Sequence, residues 1–236
     1  MQVFEKLIDK ELIEQNLVKI FAYRNIWTLR ADSIGDIPFY SLGAAAYMDS
    51  GEQGKDFYKQ QFLKTNPILK ENFSELYEIV FAKLKAEFQK EFVLYDNAAF
   101  PGFHIFLTDE VFEIALASRH IDLQYKIIEW QENEIDPNKS LSFTLYLKLP
   151  KNGGGVYYWD LFKEDLDAYN LTKKEEIIHQ HERKLKLFQE GDLFVHNGHQ
   201  YHQIAPFFDI EENDQRISLQ GHAIYAKNLD KYLVHW

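Results

Sequence analysis

The chain of 236 residues has no cysteine. Disulfides, zinc ribbons, iron–sulfur clusters and thiol nucleophiles are therefore excluded together. It also lacks any apolar run approaching the roughly 20 residues that cross a bilayer as a helix. The opening segment, MQVFEKLIDKELIEQ, interrupts every apolar run with acids, so neither a signal peptide nor a transit peptide is expected there. A soluble, cytoplasmic protein is the expectation, with no membrane partner. Positive charge is in short supply: 26 Lys and Arg stand against 37 Asp and Glu, a net charge of −11. A nucleic-acid surface needs a basic stripe, because phosphate contacts dominate that affinity. Here the lysines alternate with acids, as in LKENFSELYEIVFAKLKAEFQKEF, which is the pattern of a solvated helical face. No nucleic-acid partner is expected.

What is present is a substantial apolar fraction, 46% of the residues, enough for a sizeable core. A chain of this length is expected to form one domain, 1–236. Phe4, Leu7, Ile8, Leu12, Leu17 and Ile20 recur at helical spacing over 4–22. A clearer stripe runs over 68–92 through Leu69, Phe73, Leu76, Ile79, Val80, Leu84 and Phe88. Residues 1–91 are thus predicted to be a largely helical support. Pro38 to Asp56, with Gly43, Gly51 and Gly54, reads as loop with a short apolar segment. No internal repeat and no low-complexity segment is visible.

From Phe92 onward the texture becomes short apolar runs cut by turns. VLYD, FHIFL, HIDLQYKIIEW, SLSFTLYLKL, GVYYWDL, DLFVH, YHQIAPFF and RISLQGHAIYA read as strands. Asp136-Pro137-Asn138, Asn152 to Gly155, Glu190-Gly191-Asp192 and Asn197-Gly198 separate several of them. About eight such strands fit a double-sheet jelly roll over 92–236. A helical insert is predicted over about 163–189, where Leu166, Tyr169, Ile177, Ile178, Leu185 and Phe188 are spaced for helix.

His120-Ile121-Asp122 carries the chemistry. In a strand, residues i and i+2 point to one side, so His120 and Asp122 would project together. A distant His brought alongside would complete two imidazoles and one carboxylate, a set that grips a ferrous ion on one face and leaves the other open. His196, His199 and His202 compete for that third position. His196 ends a strand, His199 sits in the Asn197-Gly198 turn, and His202 begins the next apolar stretch. His179 and His181 lie at helical spacing in HQHERKLKLF and read as a solvated helix. His104, in PGFHIF, reads as a strand residue with a hydrogen-bonded ring. Arg216, Ser218, Gln220 and His222 share one parity and hence one face of their strand.

The ordered set His120-x-Asp122, then GDLFVHNGHQYHQIAP, then Arg216-x-Ser218 resembles the Fe(II)/2-oxoglutarate-dependent dioxygenases over roughly 101–236. The resemblance implies a double-stranded β-helix with His120, Asp122 and His202 as metal ligands, His202 matching the family's His-x-(Val/Ile)-x-Pro pattern. It implies that Arg216 pairs with the distal carboxylate of 2-oxoglutarate and that Ser218 adds a hydroxyl bond. Fe(II), 2-oxoglutarate and O2 follow as cofactor and cosubstrates. FYSLGAAAYMD, FVHNGHQYHQIAPFF and QRISLQGHAIYAKNLDKYLVHW are most similar to the small-molecule radical halogenases and hydroxylases that act on alkaloids and amino acids. Halogenases carry Gly or Ala in place of the carboxylate; Asp122 departs from that pattern and argues for hydroxylation.

The expected activity is hydroxylation of a free amino acid or related small metabolite, coupled to decarboxylation of 2-oxoglutarate. His222 and Trp236 are expected on the substrate side. Two alternatives stand beside it: a hydroxylase of protein or peptide side chains, and a jelly-roll binding module without turnover.

Overall fold

The computed structural model describes residues 1–30, 37–51, 54–131 and 133–236. The N-terminal part forms β1 (Gln2–Phe4), α1 (Lys10–Ala22), β2 (Thr28–Leu29), β3 (Phe39–Leu42), α2 (Ala46–Asp49), α3 (Gly54–Phe88) and β4 (Glu91–Leu94). β5 (Gly102–Phe106), β6 (Ile135–Lys148), β7 (Val156–Phe162), α4 (Lys163–Leu166) and α5 (Leu171–Gln180) follow. The chain closes with β8 (Lys184–Lys186), β9 (Leu193–His196), β10 (Gln200–Ile204), β11 (Arg216–Ala226) and β12 (Lys231–His235).

Among the described residues, nine strands form a large sheet whose main path runs β1-β9-β6-β11-β5-β3-β2, with β12 joining β11 to β4. β10, β7 and β8 form a smaller antiparallel sheet. The alternation in RISLQGHAIYA explains the central place of β11. Ile217 and Leu219, both fully buried, turn outward into a core shared with Leu69, Phe73, Leu76 and Val80 of α3. Arg216, Gln220 and His222 turn the other way, into a cavity bounded by both sheets. Antiparallel register carries this face across the sheet: Ser218 stands opposite His104 of β5, and His222 opposite Ser142 of β6, which in turn faces His196 of β9. Directly opposed residues share a face, so one row of the pleat assembles polar groups from several strands.

The helices pad the outer face. Asp9 caps α1 by accepting from the Leu12 amide at 2.9 Å. α3 is far longer than the 68–92 stripe, beginning at Gly54 and continuing through Pro67 to Phe88. Its backbone leaves helical geometry at Phe73 (φ −125°, ψ 15°). The stretch from Pro38 to Asp56 contains β3 and α2 rather than loop alone, and its positions 52 and 53 lie outside the described residues. HIDLQYKIIEW is not a strand. His120 makes a single antiparallel bridge to His202, and Gln124–Lys126 is a 3-10 turn.

Gly102 marks a close approach: a Cβ there would lie 2.2 Å from Cζ3 of Trp236. The last residue is tied in on both sides, its amide donating to the Ala99 carbonyl at 2.8 Å and its carbonyl accepting from the Tyr58 hydroxyl at 2.9 Å. Among the described residues, no helix is long and apolar enough to cross a membrane.

Candidate metal centre

His120 and His202 are joined through their backbones, each amide donating to the other's carbonyl at 2.9 Å. This hydrogen-bonded pair places both side chains on one side, with ring centroids 4.5 Å apart. Asp122 is fixed separately: its amide donates to the Gly198 carbonyl at 2.6 Å. Gly198 has φ +75°, a left-handed conformation that glycine adopts without strain, and a Cβ there would crowd the Asp122 Cβ at 3.1 Å. The turn Asn197-Gly198 thus positions the carboxylate, although it contributes no ligand itself.

One ligand atom from each of His120, Asp122 and His202 falls within 4.8 Å of the others. The Asp122 carboxylate lies 3.5 Å from His120 Nε2 and 3.7 Å from His202 Nε2. Both imidazoles place Nδ1 2.8 Å from a backbone carbonyl, of Ser118 and Gln200 respectively. In the neutral ring Nδ1 therefore carries the proton and donates, which leaves the Nε2 lone pair facing the carboxylate and free for a metal. That is the tautomer a metal-bound histidine adopts. Two imidazole nitrogens and one carboxylate fit a ferrous ion with an open face.

His196 also lies beside Asp122, its Nε2 3.7 Å from the carboxylate. Its Nδ1, however, accepts from the Gly198 amide at 3.2 Å, so its proton resides on Nε2. Burial pushes its pKa down to about 3, so the ring is neutral. A protonated Nε2 has no lone pair to offer, which separates His196 from His202. His199 faces elsewhere, toward Ser140 Oγ at 3.3 Å and Glu164 at 4.0 Å. Gln124, not anticipated from sequence, donates its amide to Asp122 Oδ1 at 3.1 Å.

The carboxylate and the imidazoles bias one another's protonation. Burial alone would raise the Asp122 pKa, but the imidazoles of His202, His120 and His222 outweigh it and hold the carboxylate well below its ordinary range. Burial works against a charge on His120 too; there the Asp122 carboxylate and the Ser118 carbonyl prevail and lift the pKa. For His202 burial wins and lowers it.

Arg216 lies in the wall of the same cavity, 1% exposed. Its Nε donates to the Gly154 carbonyl at 3.1 Å and its Nη1 to Ser218 Oγ at 3.5 Å. The guanidinium carbon sits 5.5 Å from the Phe106 ring centroid and 5.3 Å from that of Tyr146. Among the described residues no carboxylate pairs with it. A buried cation without a counter-ion is costly, and a planar guanidinium presents a fork suited to a carboxylate.

His222 lines the cavity, with Nδ1 2.9 Å from Ser142 Oγ. Trp236 does not: its indole is fully buried behind His104, with ring centroids 5.2 Å apart. His104 lies in β5 with Nε2 2.8 Å from the Tyr47 hydroxyl. His179 lies in the last turn of α5 and His181 caps it, and neither lines the cavity among the described residues.

No protein-family model and no curated protein sequence matches the chain. Solved structures do. An N-substituted L-amino acid dioxygenase from Burkholderia ambifaria AMMD superposes with a TM-score of 0.54 at 13% identity, over 82% of this chain and 76% of that one. Its complex with alpha-KG gives 0.50 at 11% identity over the same shares. The chain thus shares the fold of these dioxygenases, and His120, Asp122 and His202 lie within it as a cluster able to hold a metal ion.

Proposed function

We propose that this protein is an Fe(II)/2-oxoglutarate-dependent hydroxylase of a small molecule. The observation that carries the reading is the coexistence, in one cavity of about 600 Å³, of a bare-Nε2 triad and a buried guanidinium with no carboxylate partner among the described residues. His120, Asp122 and His202 would hold the metal. Arg216 would take the distal carboxylate of 2-oxoglutarate, with the Ser218 hydroxyl beside it. When bound, the iron with O2 would supply decarboxylation of 2-oxoglutarate to succinate coupled to C–H hydroxylation.

The protein's part is to bind, orient and exclude water. The Ser118 and Gln200 carbonyls orient the two imidazoles, the Asp122 amide anchors its own carboxylate to Gly198, and Gln124 steadies Oδ1. Asp122 and His202 are only 7% and 8% exposed. His120 is more open, with 37% of its side chain exposed, but the recessed Asp122 and His202 support a small molecule over a side chain on a folded protein. That His222 lines the cavity from the same face of β11 as Arg216 supports reading it as a substrate contact. The presence of Asp122 supports hydroxylation over halogenation.

The test is anaerobic addition of Fe(II) and 2-oxoglutarate. A weak visible charge-transfer band should appear, and on aeration succinate should be released. A protein that gives neither would not be an enzyme of this class, and the reading as a binding module without turnover would replace it.

A further inference from the structure

This inference rests on the hydroxylase reading and concerns what the cavity admits. Among the described residues that line it, Arg216 is the one Lys or Arg side chain and Asp122 the one carboxylate. Both are committed, to the cosubstrate and to the metal. Two neighbouring guanidiniums are taken as well. Arg30 bonds Asp49 twice, at 2.6 and 3.0 Å, and Arg119, next to His120 in the chain, bonds Glu175 at 2.6 Å. Positions 31–36, 52–53 and 132 contain no Lys or Arg. A zwitterion would enter a site with no cation left for its carboxylate, and an unpaired buried charge is strongly disfavoured.

The walls are made for something else. Phe39 stacks on Phe106 at 4.2 Å, and Phe112 meets Phe106 edge-on at 5.2 Å. Leu116, Ile121 and Ile127 extend the apolar lining.

Tyr47 brings a polar handle to this aromatic wall. Tyr47 is 39% exposed while Ala44, Ala45 and Ala46 beside it are buried, and its ring opens on the cavity. Its oxygen lies 2.8 Å from His104 Nε2. His104 Nδ1 is buried with no partner among the described residues. Burial also keeps this ring neutral, its pKa well below the ordinary histidine value. A buried N–H without an acceptor is rarer than a bare acceptor. The ring proton therefore sits on Nε2 and is donated to the Tyr47 oxygen. That leaves the phenol's own O–H free to donate into the cavity.

We propose that the substrate is an uncharged, mostly apolar small molecule whose oxygen acceptor is held by the Tyr47 hydroxyl, and that free amino acids are excluded by their charge. Tyr47 is in this account a substrate-binding residue that sets specificity.

The experiment measures binding rather than turnover, by ligand-detected NMR on the full chain held anaerobically with Fe(II) and 2-oxoglutarate. The probes are bicyclic ketones such as 1-indanone, their parent hydrocarbons such as indane, and free amino acids of similar size such as L-phenylalanine. Ketones should bind more tightly than amino acids by about ten-fold or more, and Tyr47→Phe should weaken ketone binding about ten-fold while leaving the hydrocarbons unchanged. A free amino acid that binds more tightly than the matched ketone overturns the proposal. So does a ketone affinity untouched by Tyr47→Phe, or the failure of every neutral probe to bind. The charge-transfer band separates the two levels of the argument. If it forms and amino acids are preferred, this inference alone fails; if it never forms, the hydroxylase reading fails.

Discussion

The amide of His120 donates to the carbonyl of His202 while the amide of His202 donates to that of His120, both at 2.9 Å. These two residues are far apart in the chain and belong to no common strand; this one reciprocal bridge is their register. It places the two imidazoles side by side, and the Nδ1 bonds to Ser118 and Gln200 then turn both Nε2 lone pairs toward Asp122. The candidate metal set is thus specified by backbone hydrogen bonding alone.

Tautomer decides which histidine is the third ligand. His202→Ala should abolish the Fe(II)–2-oxoglutarate charge-transfer band, because a bare Nε2 is lost. His196→Ala should largely preserve it, since its Nε2 carries the proton, and His199→Ala should do so because that ring faces Ser140 and Glu164. The check is anaerobic visible titration of the three variants. Loss of the band in His196→Ala with retention in His202→Ala would reverse the assignment.

Arg216 should separate stability from binding. Arg216→Met removes a buried cation that has no counter-ion among the described residues, and well-packed apolar replacements of buried charges are often neutral or stabilising. The melting temperature without 2-oxoglutarate should therefore hold or rise. The same variant loses charge-assisted hydrogen bonds worth about 1.5–3 kcal/mol each, so 2-oxoglutarate affinity should fall by at least about ten-fold. Calorimetric binding and a thermal melt, with and without 2-oxoglutarate, report the two effects. Unchanged affinity would mean that another residue holds the cosubstrate.

Much of this was readable in the chain, and the exceptions have physical causes. RISLQGHAIYA alternates cleanly between an apolar face and a polar one, and it forms a strand over Arg216–Ala226 as read. HIDLQYKIIEW alternates too, yet only His120 pairs, because Tyr125 and Ile128 bury into a side cluster with Trp236 rather than along a sheet. Short apolar runs fit strand and turn alike until a neighbour is known. Pro67 signals a helix end, which hid the first turns of α3 from Gly54 onward. Gln124 had no sequence signal and Tyr47 only its place in FYSLGAAAYMD, which assigned it no role: each matters through a partner, Asp122 or His104, that only the fold brings within reach.

Gly102→Ala should be costly for a reason unrelated to chemistry. The added Cβ would meet Trp236 Cζ3 at 2.2 Å and the Leu42 carbonyl oxygen at 2.6 Å, so either the indole or the strand must shift. Overpacking of this kind costs about 1–3 kcal/mol. Chemical denaturation should show that loss. An unchanged midpoint would mean that the terminal indole is not held against β5 in solution.

On the proposed reading, the Asp122 carboxylate would fill the position a halide would need, so the wild-type protein should hydroxylate even in high chloride. Asp122→Gly vacates that position, and the backbone bond from residue 122 to Gly198 does not depend on the side chain. One anionic ligand is nevertheless gone, so iron should bind more weakly and hydroxylation should drop sharply. Chlorination should appear only faintly, because a halogenase must also steer the substrate toward halide. Product mass for wild type and Asp122→Gly, with and without chloride, reads both effects. Chlorinated product from the wild type would sink the hydroxylase assignment, and full hydroxylation by Asp122→Gly would remove Asp122 from the metal site.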